Sequence, residues 1–346
     1  VSALRRAAFG LRLGALSCCA AATDLLVGDK ALRLRSGAMP LPPLQDPENL
    51  GRRVYGFCVG VPAAAFLFVS LLVFNLLQLF TLLVWPISGQ AFRALNRQLA
   101  GIWWGLSVWL SERLYGVHVT VSGDPVPMAE NAIVIANHQQ MPDINFLLVY
   151  ASTKGRLSDL KWMVKYPMKF VPGAGWGMAM LGCLFLRRDW AKDRASVLRT
   201  FAGLVQHRVP MWFMSFPEGT RLTPDKLAKA QVYAQKLGEP VLQHLLVPRT
   251  KGFVASVQGL RGHVAAVYDV TIGYPDGVPT LWQYTLGYVR RVHLHVQRFV
   301  LSDLPDEEEA LTAWLKARFV AKDALLSAYY AHGDFVSAAA DVPSAS

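Results

Sequence analysis

Charge is scarce in this chain. Only 17% of its 346 residues are Asp, Glu, Lys or Arg, against about 25% in an ordinary soluble domain. With 53% hydrophobic residues and a mean hydropathy of +0.28, the shortfall predicts apolar surface that faces lipid. The charge that exists leans one way, with 35 basic against 24 acidic residues. A net charge of +11 calls for an anionic partner: nucleic acid, an anionic membrane or a phosphorylated small molecule. Ten Trp and the apolar segment described below favour the last two, so membrane lipids are expected partners and nucleic acid is not. Cysteine is sparse as well. Cys18, Cys19, Cys58 and Cys183 have neither zinc-ligand nor redox spacing. That argues against a disulfide framework and a metal site, and for a reducing compartment.

Acid is absent from residues 1–23, which carry Arg5, Arg6 and Arg12. Such a segment reads either as a transit peptide or as a basic tail, and a first residue of Val is compatible with processing or with a fragment. Residues 36–50 are proline-rich and read as a linker, so 1–53 form the tail and linker. Charge then vanishes between Arg53 and Arg93, and neither Pro nor Gly interrupts Ala63 to Trp85. As a helix that run covers ~30 Å or slightly more, enough for a bilayer core. Arg52 and Arg53 at one end and Arg93 and Arg97 at the other leave its orientation unread. Asn75 and Gln78 mark either a helix–helix contact or a re-entrant bend. Residues 92–110 place Arg93 and Arg97 on one face and add Trp103, Trp104 and Trp109, which suit the headgroup zone. Residues 54–112 are therefore expected to be membrane-embedded and interfacial helices.

From Tyr115 the pattern changes. Short apolar strands are predicted at Val117–Val121, Ala132–Ala136, Met211–Phe216, Leu245–Val247 and Val264–Ile272, most of them separated by helical segments. This alternation predicts an α/β domain over 113–332, a mostly parallel sheet flanked by helices. Residues 288–299 alternate cleanly, with Val292, Leu294 and Val296 on one face and His293, His295 and Gln297 on a solvated one. A last helix begins near Pro305, with Asp306 to Glu309 in its first turn and Leu311, Trp314, Leu315 and Phe319 as its buried stripe. Residues 333–346, mostly small, are expected to be a disordered tail.

Ligands of open α/β sheets bind beyond the carboxyl ends of strands. The apolar run A-I-V-I-A ends there in Asn137 and His138, and Asp143 opens the next predicted helix. A four-residue loop can return the carboxylate to the imidazole, fixing its tautomer and stabilising its protonated form. The pair makes a general base and supplies no nucleophile. A second strand runs into P-E-G-T-R, Pro217 to Arg221. Here Gly219 permits close backbone approach, Arg221 can fork onto a phosphate, and Glu218 can bond a hydroxyl or hold Arg221. A third turn, V-P-R-T-K-G-F, carries Arg249 and Lys251 and suggests an anion site. The fourth stretch is L-F-L-R-R-D-W-A-K-D, Leu184 to Asp193. Cys183 lacks a neighbouring His, and Ser215 lacks a G-x-S-x-G elbow, so neither is read as a nucleophile.

Taken in this order, N-H-x4-D and F-P-E-G-T-R with the two further stretches resemble the 1-acylglycerol-3-phosphate acyltransferases. W-A-K-D at 190–193, V-Y-D-V-T at 267–271 and F-V-A-K-D-A-L-L at 319–326 look like the eukaryotic endoplasmic-reticulum branch, and the resemblance covers roughly residues 55–330. It implies transfer of an acyl group from acyl-CoA, as co-substrate, to the free hydroxyl of lysophosphatidic acid. No cofactor, metal or covalent acyl-enzyme is implied. His138 would take the hydroxyl proton and Asp143 would support it. Glu218, Gly219, Thr220 and Arg221 match the acceptor-binding block. Arg188 and Lys165 fall on positions associated with the acceptor phosphate. Arg249 and Lys251 would serve CoA phosphates or the lipid headgroup. The branch often has N-H-R-S-D-x-D, whereas this chain has N-H-Q-Q-M-P-D, a less charged loop that bears on acceptor choice more than on reaction type. The endoplasmic reticulum is the expected membrane, with plastid or mitochondrion left open by the Arg-bearing N-terminus. Other lysophospholipids, a CoA-independent transacylation and a non-catalytic lipid-binding scaffold are the competing readings.

Overall fold

The computed structural model describes residues 42–187 and 189–341. The first helix, α1 (Leu50–Thr81), starts at Asn49, whose side chain accepts the Arg52 N–H at 3.1 Å. Its residues are sorted the opposite way from a soluble helix. Gly56, Gly60, Ala63, Asn75, Gln78 and Thr81 are buried, while Phe57, Phe66, Phe68, Val73, Leu76 and Phe80 are exposed. Small and polar groups inside with large apolar groups outside suit a helix packed on protein within lipid. Among the described residues α1 alone is long and apolar enough to cross a membrane.

A second helix, α2 (Gly89–Trp109), is capped by Ser88 and packs along α1. Asn96 donates to Thr81 Oγ1 at 2.7 Å, and Trp103 Nε1 donates to Ser70 Oγ at 3.2 Å. Asn75 and Gln78 bond each other at 3.1 Å inside an uninterrupted helix, so they mark a helix contact rather than a bend. Their partner across the contact is the short helix α4 (Ala174–Met180), where a Cβ on Gly177 would stand 3.3 Å from Asn75 Nδ2. At its other end α1 touches α8 (Leu281–Thr285) through Gly56 and Gly60. Between these contacts α1 runs about 33 Å along the rest of the molecule.

Among the described residues seven strands form one sheet: β1 (His118–Gly123), β2 (Ala132–Ala136), β3 (Leu160–Lys165), β4 (Leu184–Leu186), β5 (Trp212–Ser215), β6 (Ala266–Gly273) and β7 (Arg291–Val300). Their spatial order is β1-β7-β6-β2-β5-β3-β4, and only β6 and β7 run antiparallel. The central β2 is wholly buried. Its Ala132, Val134 and Ala136 face a core with α2 and α3 (Asp143–Thr153), and its Ile133 and Ile135 face a core with α5 (Trp190–Gln206), α7 (Thr250–Leu260) and α9 (Glu308–His332). The helix α6 (Pro224–Leu237) follows the turn after β5.

Several expectations need correction. Leu245–Val247 is not a strand, because its neighbourhood gives its amides to carboxylates: Gln243 and His244 N–H to Asp323, and Leu246 N–H to Glu218. Conversely β3 and β4 are strands. The linker end is docked, since Leu44 N–H donates to Val278 O and Val278 N–H to Pro42 O; residues 1–41 lie outside the described residues. The expected tail contains a helix, α10 (Phe335–Asp341), with Phe335 stacked on Tyr329 at 4.2 Å and packed by His295. His295 is therefore buried rather than solvated, and bonds Ser122 Oγ at 3.1 Å.

Candidate active site

The carboxyl ends of β2, β3, β5 and β6 lie on one edge of the sheet, because these strands run parallel. At the end of β2, Asn137 knits the chain to β6: its side chain accepts the Ile272 N–H at 2.8 Å and donates to Ile272 O at 3.1 Å. That fixes the backbone from which His138 projects. Pro142 caps α3 in helical conformation, and Asp143 opens its first turn. The loop between them folds back as its length allows. His138 Nδ1 lies 3.0 Å from Asp143 Oδ2, which also accepts the Gln140 N–H at 2.8 Å. Tyr274, just beyond β6, donates its hydroxyl to Asp143 Oδ1. Three donors thus compensate a carboxylate with no exposed surface.

The bond at Nδ1 leaves Nε2 as the ring nitrogen open to another partner. Nε2 has no hydrogen-bond partner among the described residues, and the side chain is 11% exposed. Phe216 stacks on the imidazole with centroids 4.1 Å apart and planes 15° apart. The same Phe216 lines a cavity of about 450 Å³ together with Lys165, Pro217, Gly219, Arg249 and Lys251. His138 itself is not in that lining. The cavity therefore lies beside the imidazole, with Phe216 as the shared wall.

Glu218 does not present its carboxylate to this cavity. Its Oε1 accepts the His138 backbone N–H at 2.7 Å and its Oε2 accepts the Leu246 N–H at 3.0 Å. Neither a ligand hydroxyl nor Arg221 has a claim on it in this arrangement. Burial pushes Glu218 up to about 8, against the pull of these two N–H groups and of Lys322. Gly219 turns the chain with φ +66°, a conformation that L side chains rarely adopt. Thr220 Oγ1 and the Arg221 carbonyl both accept from Lys226 Nζ, at 2.8 and 2.9 Å, and Arg221 is exposed. Lys165 ends β3, and Arg249 and Lys251 open α7; all three are exposed cations on the cavity. Arg188 lies outside the described residues. Cys183 is buried, and burial pushes its thiol up, away from the reactive thiolate.

An acyltransferase family model matches residues 118–274, and one for the acyltransferase C-terminus matches 286–345. Over 284 residues the chain is 37% identical to 1-acyl-sn-glycerol-3-phosphate acyltransferase 2 of Brassica napus, covering 80% of this chain and 72% of that protein. Over 274 residues it is 37% identical to the human 1-acyl-sn-glycerol-3-phosphate acyltransferase gamma, covering 77% and 72%. The chain belongs to the 1-acyl-sn-glycerol-3-phosphate acyltransferase family. A solved structure, that of the 1-acyl-sn-glycerophosphate (LPA) acyltransferase PlsC from Thermotoga maritima, aligns with a TM-score of 0.45 at 18% identity, over 78% of this chain and 92% of that one.

Within this acyltransferase, three neighbours of the imidazole escape a reading by motif. Phe216 stands inside the F-P-E-G-T-R stretch, yet its stacking on His138 joins segments far apart in the chain. Asn137 stands beside His138, but its bonds to Ile272 span 135 residues. Tyr274 is 131 residues from Asp143, and nothing in the local sequence pairs them.

Proposed function

We propose that the protein transfers an acyl group from acyl-CoA to the sn-2 hydroxyl of lysophosphatidic acid, giving phosphatidic acid and CoA. The observation that carries this reading is the His138–Asp143 pair, whose Nε2 is unclaimed and whose ring stacks on Phe216, a wall of the cavity edged with three cations. Nε2 takes the hydroxyl proton as the oxygen bonds to the thioester carbonyl carbon. The tetrahedral intermediate collapses, the C–S bond breaks, and the imidazolium returns the proton to the departing CoA sulfur. Asp143 holds the ring and stabilises its protonated form. Lys165, Arg249 and Lys251 supply the positive field that phosphate groups of acceptor or CoA require, and Gly219, Thr220 and Arg221 offer the loop for the acceptor. Glu218 contributes by fixing the His138 backbone. The outward Phe and Leu of α1 support a site held at a membrane that contains the lipid substrate and retains the product, and the motifs shared with the endoplasmic-reticulum branch support that address.

The test is purified protein with labelled acyl-CoA and a panel of lysolipids carrying different headgroups. The reading expects labelled phosphatidic acid from lysophosphatidic acid, with the label at sn-2. Preferred turnover of another lysophospholipid would replace the acceptor while keeping the chemistry. No transfer to any acceptor would favour a lipid-binding scaffold.

A further inference from the structure

Resting on the reaction just proposed, we infer that Tyr274 is a positioning residue of the acyltransferase, the third member of a His138–Asp143–Tyr274 relay that sets how strongly the carboxylate supports the imidazole. The three side chains come from three elements: the end of β2, the first turn of α3 and the exit of β6. Asp143 divides its oxygens between two duties. Oδ2 faces His138 Nδ1 and the Gln140 N–H, and Oδ1 receives the Tyr274 hydroxyl. Tyr274 is 1% exposed, so no water competes for its hydroxyl or replaces it without rearrangement. Its ring packs edge-on against Phe146 at 6.0 Å, on the same helix as Asp143. Aromatic packing of this kind holds the hydroxyl at the carboxylate through the catalytic cycle.

A carboxylate fully buried beside a base can act in two ways. With Oδ1 satisfied, it is fixed in one rotamer and part of its charge is drawn toward Tyr274. With Oδ1 orphaned, it is free to rotate and concentrates more charge on the imidazole. Tyr274 therefore does two things: it keeps Oδ2 aimed at Nδ1, and it moderates the pull of Asp143 on the ring. The ionisable groups facing Asp143 or Tyr274 are His138, Glu218 from the turn after β5, Tyr284 on α8 and Tyr330 on α9, while Lys322 on α9 faces Glu218. Burial and Asp143 raise Tyr274 well above its ordinary value, so it remains a donor throughout the working range.

The experiment compares wild type with Tyr274→Phe, which keeps the ring and removes only the hydroxyl. Measured are kcat and KM for acyl-CoA and lysophosphatidic acid, the pH profile of kcat/KM, and the thermal melt in detergent. The relay predicts a kcat lower on the order of tenfold, as fits one hydrogen bond to a buried charge. Both KM values stay within about twofold, the scale of variation that leaves binding unassigned. The limb on which activity rises with pH shifts upward by about half a unit or more, since an unmoderated carboxylate favours the protonated ring. Unchanged kcat, or lower activity with an unmoved profile, overturns the inference and leaves Tyr274 a packing residue. If Tyr274→Phe fails to fold, Tyr274→His, whose imidazole can also donate, must restore activity above Tyr274→Leu, and equal loss in both overturns the relay. Failure of the underlying reaction would look different: wild type itself would acylate no lysolipid, or His138→Ala would retain full turnover.

Discussion

Glu218 ties two separate segments together at the residue scale, since one carboxylate accepts the backbone N–H of both His138 and Leu246. Its proton balance gives a prediction with a definite sign. Burial raises it from 4.5 to about 8, so across that window the folded protein holds a proton that the unfolded chain has lost. Stability from this source is full below the unfolded value and is lost as pH rises through the folded one. Thermal melts in detergent from about pH 5 to about pH 9 should therefore fall in wild type and flatten in Glu218→Gln. The variant should also be less stable by about 1–3 kcal/mol, because one amide N–H₂ would face a backbone N–H. A Gln variant with wild-type stability and slope would mean that the carboxylate clamps nothing.

At the scale of elements, α1 meets α8 by close backbone approach. A Cβ on Gly60 of α1 would stand 2.1 Å from Thr285 O and 3.0 Å from Leu286 Cα, neither of which can yield without moving α8. Gly60→Leu should cost about 1–3 kcal/mol and open the segment before α1 to limited proteolysis. Gly203→Ala in α5 is the control: nothing lies within 4 Å of its added Cβ, so it should be neutral or stabilising by up to about 1 kcal/mol. Equal melts for the two variants would rule out the backbone contact as a support. The same scale explains what could be read from the chain. The run Ala132–Ala136 and the ten-residue β7 are legible because burial on both faces, or on one, leaves a periodic trace. In β3, Lys161 and Lys165 break such a trace, and β4 spans only Leu184–Leu186. At Leu245–Val247 apolar residues do form a buried run, but amides nearby are claimed by Glu218 and Asp323, so composition predicted a strand that hydrogen bonding forbids. For the site, spacing along one loop brought His138 and Asp143 together. Long-range partners such as Tyr274 and Asn137 leave no mark in a local motif.

The whole molecule joins an apolar flank to a cationic cavity. Along that flank the outward residues of α1 are continued by Trp282 of α8, whose ring meets Phe57 at 6.4 Å, and by Phe170 and Trp176 around α4. Apolar burial in lipid is indifferent to ionic strength, whereas attraction between the +11 charge and an anionic surface is screened within ~10 Å at 0.1 M salt. Membranes carrying the protein should thus retain it through high-salt and alkaline carbonate washes and release it only to detergent; release by salt alone would make charge the anchor. In the proposed reaction the proton passes through the unclaimed Nε2 of His138. The most direct measurement is a single-turnover rate of acyl transfer from acyl-CoA to lysophosphatidic acid by wild type and His138→Gln, with the affinity for each substrate determined alongside. Loss of the rate by about 10² to 10⁴-fold at unchanged affinities is the predicted result. A His138→Gln enzyme that transfers the acyl group at the wild-type rate would contradict the account.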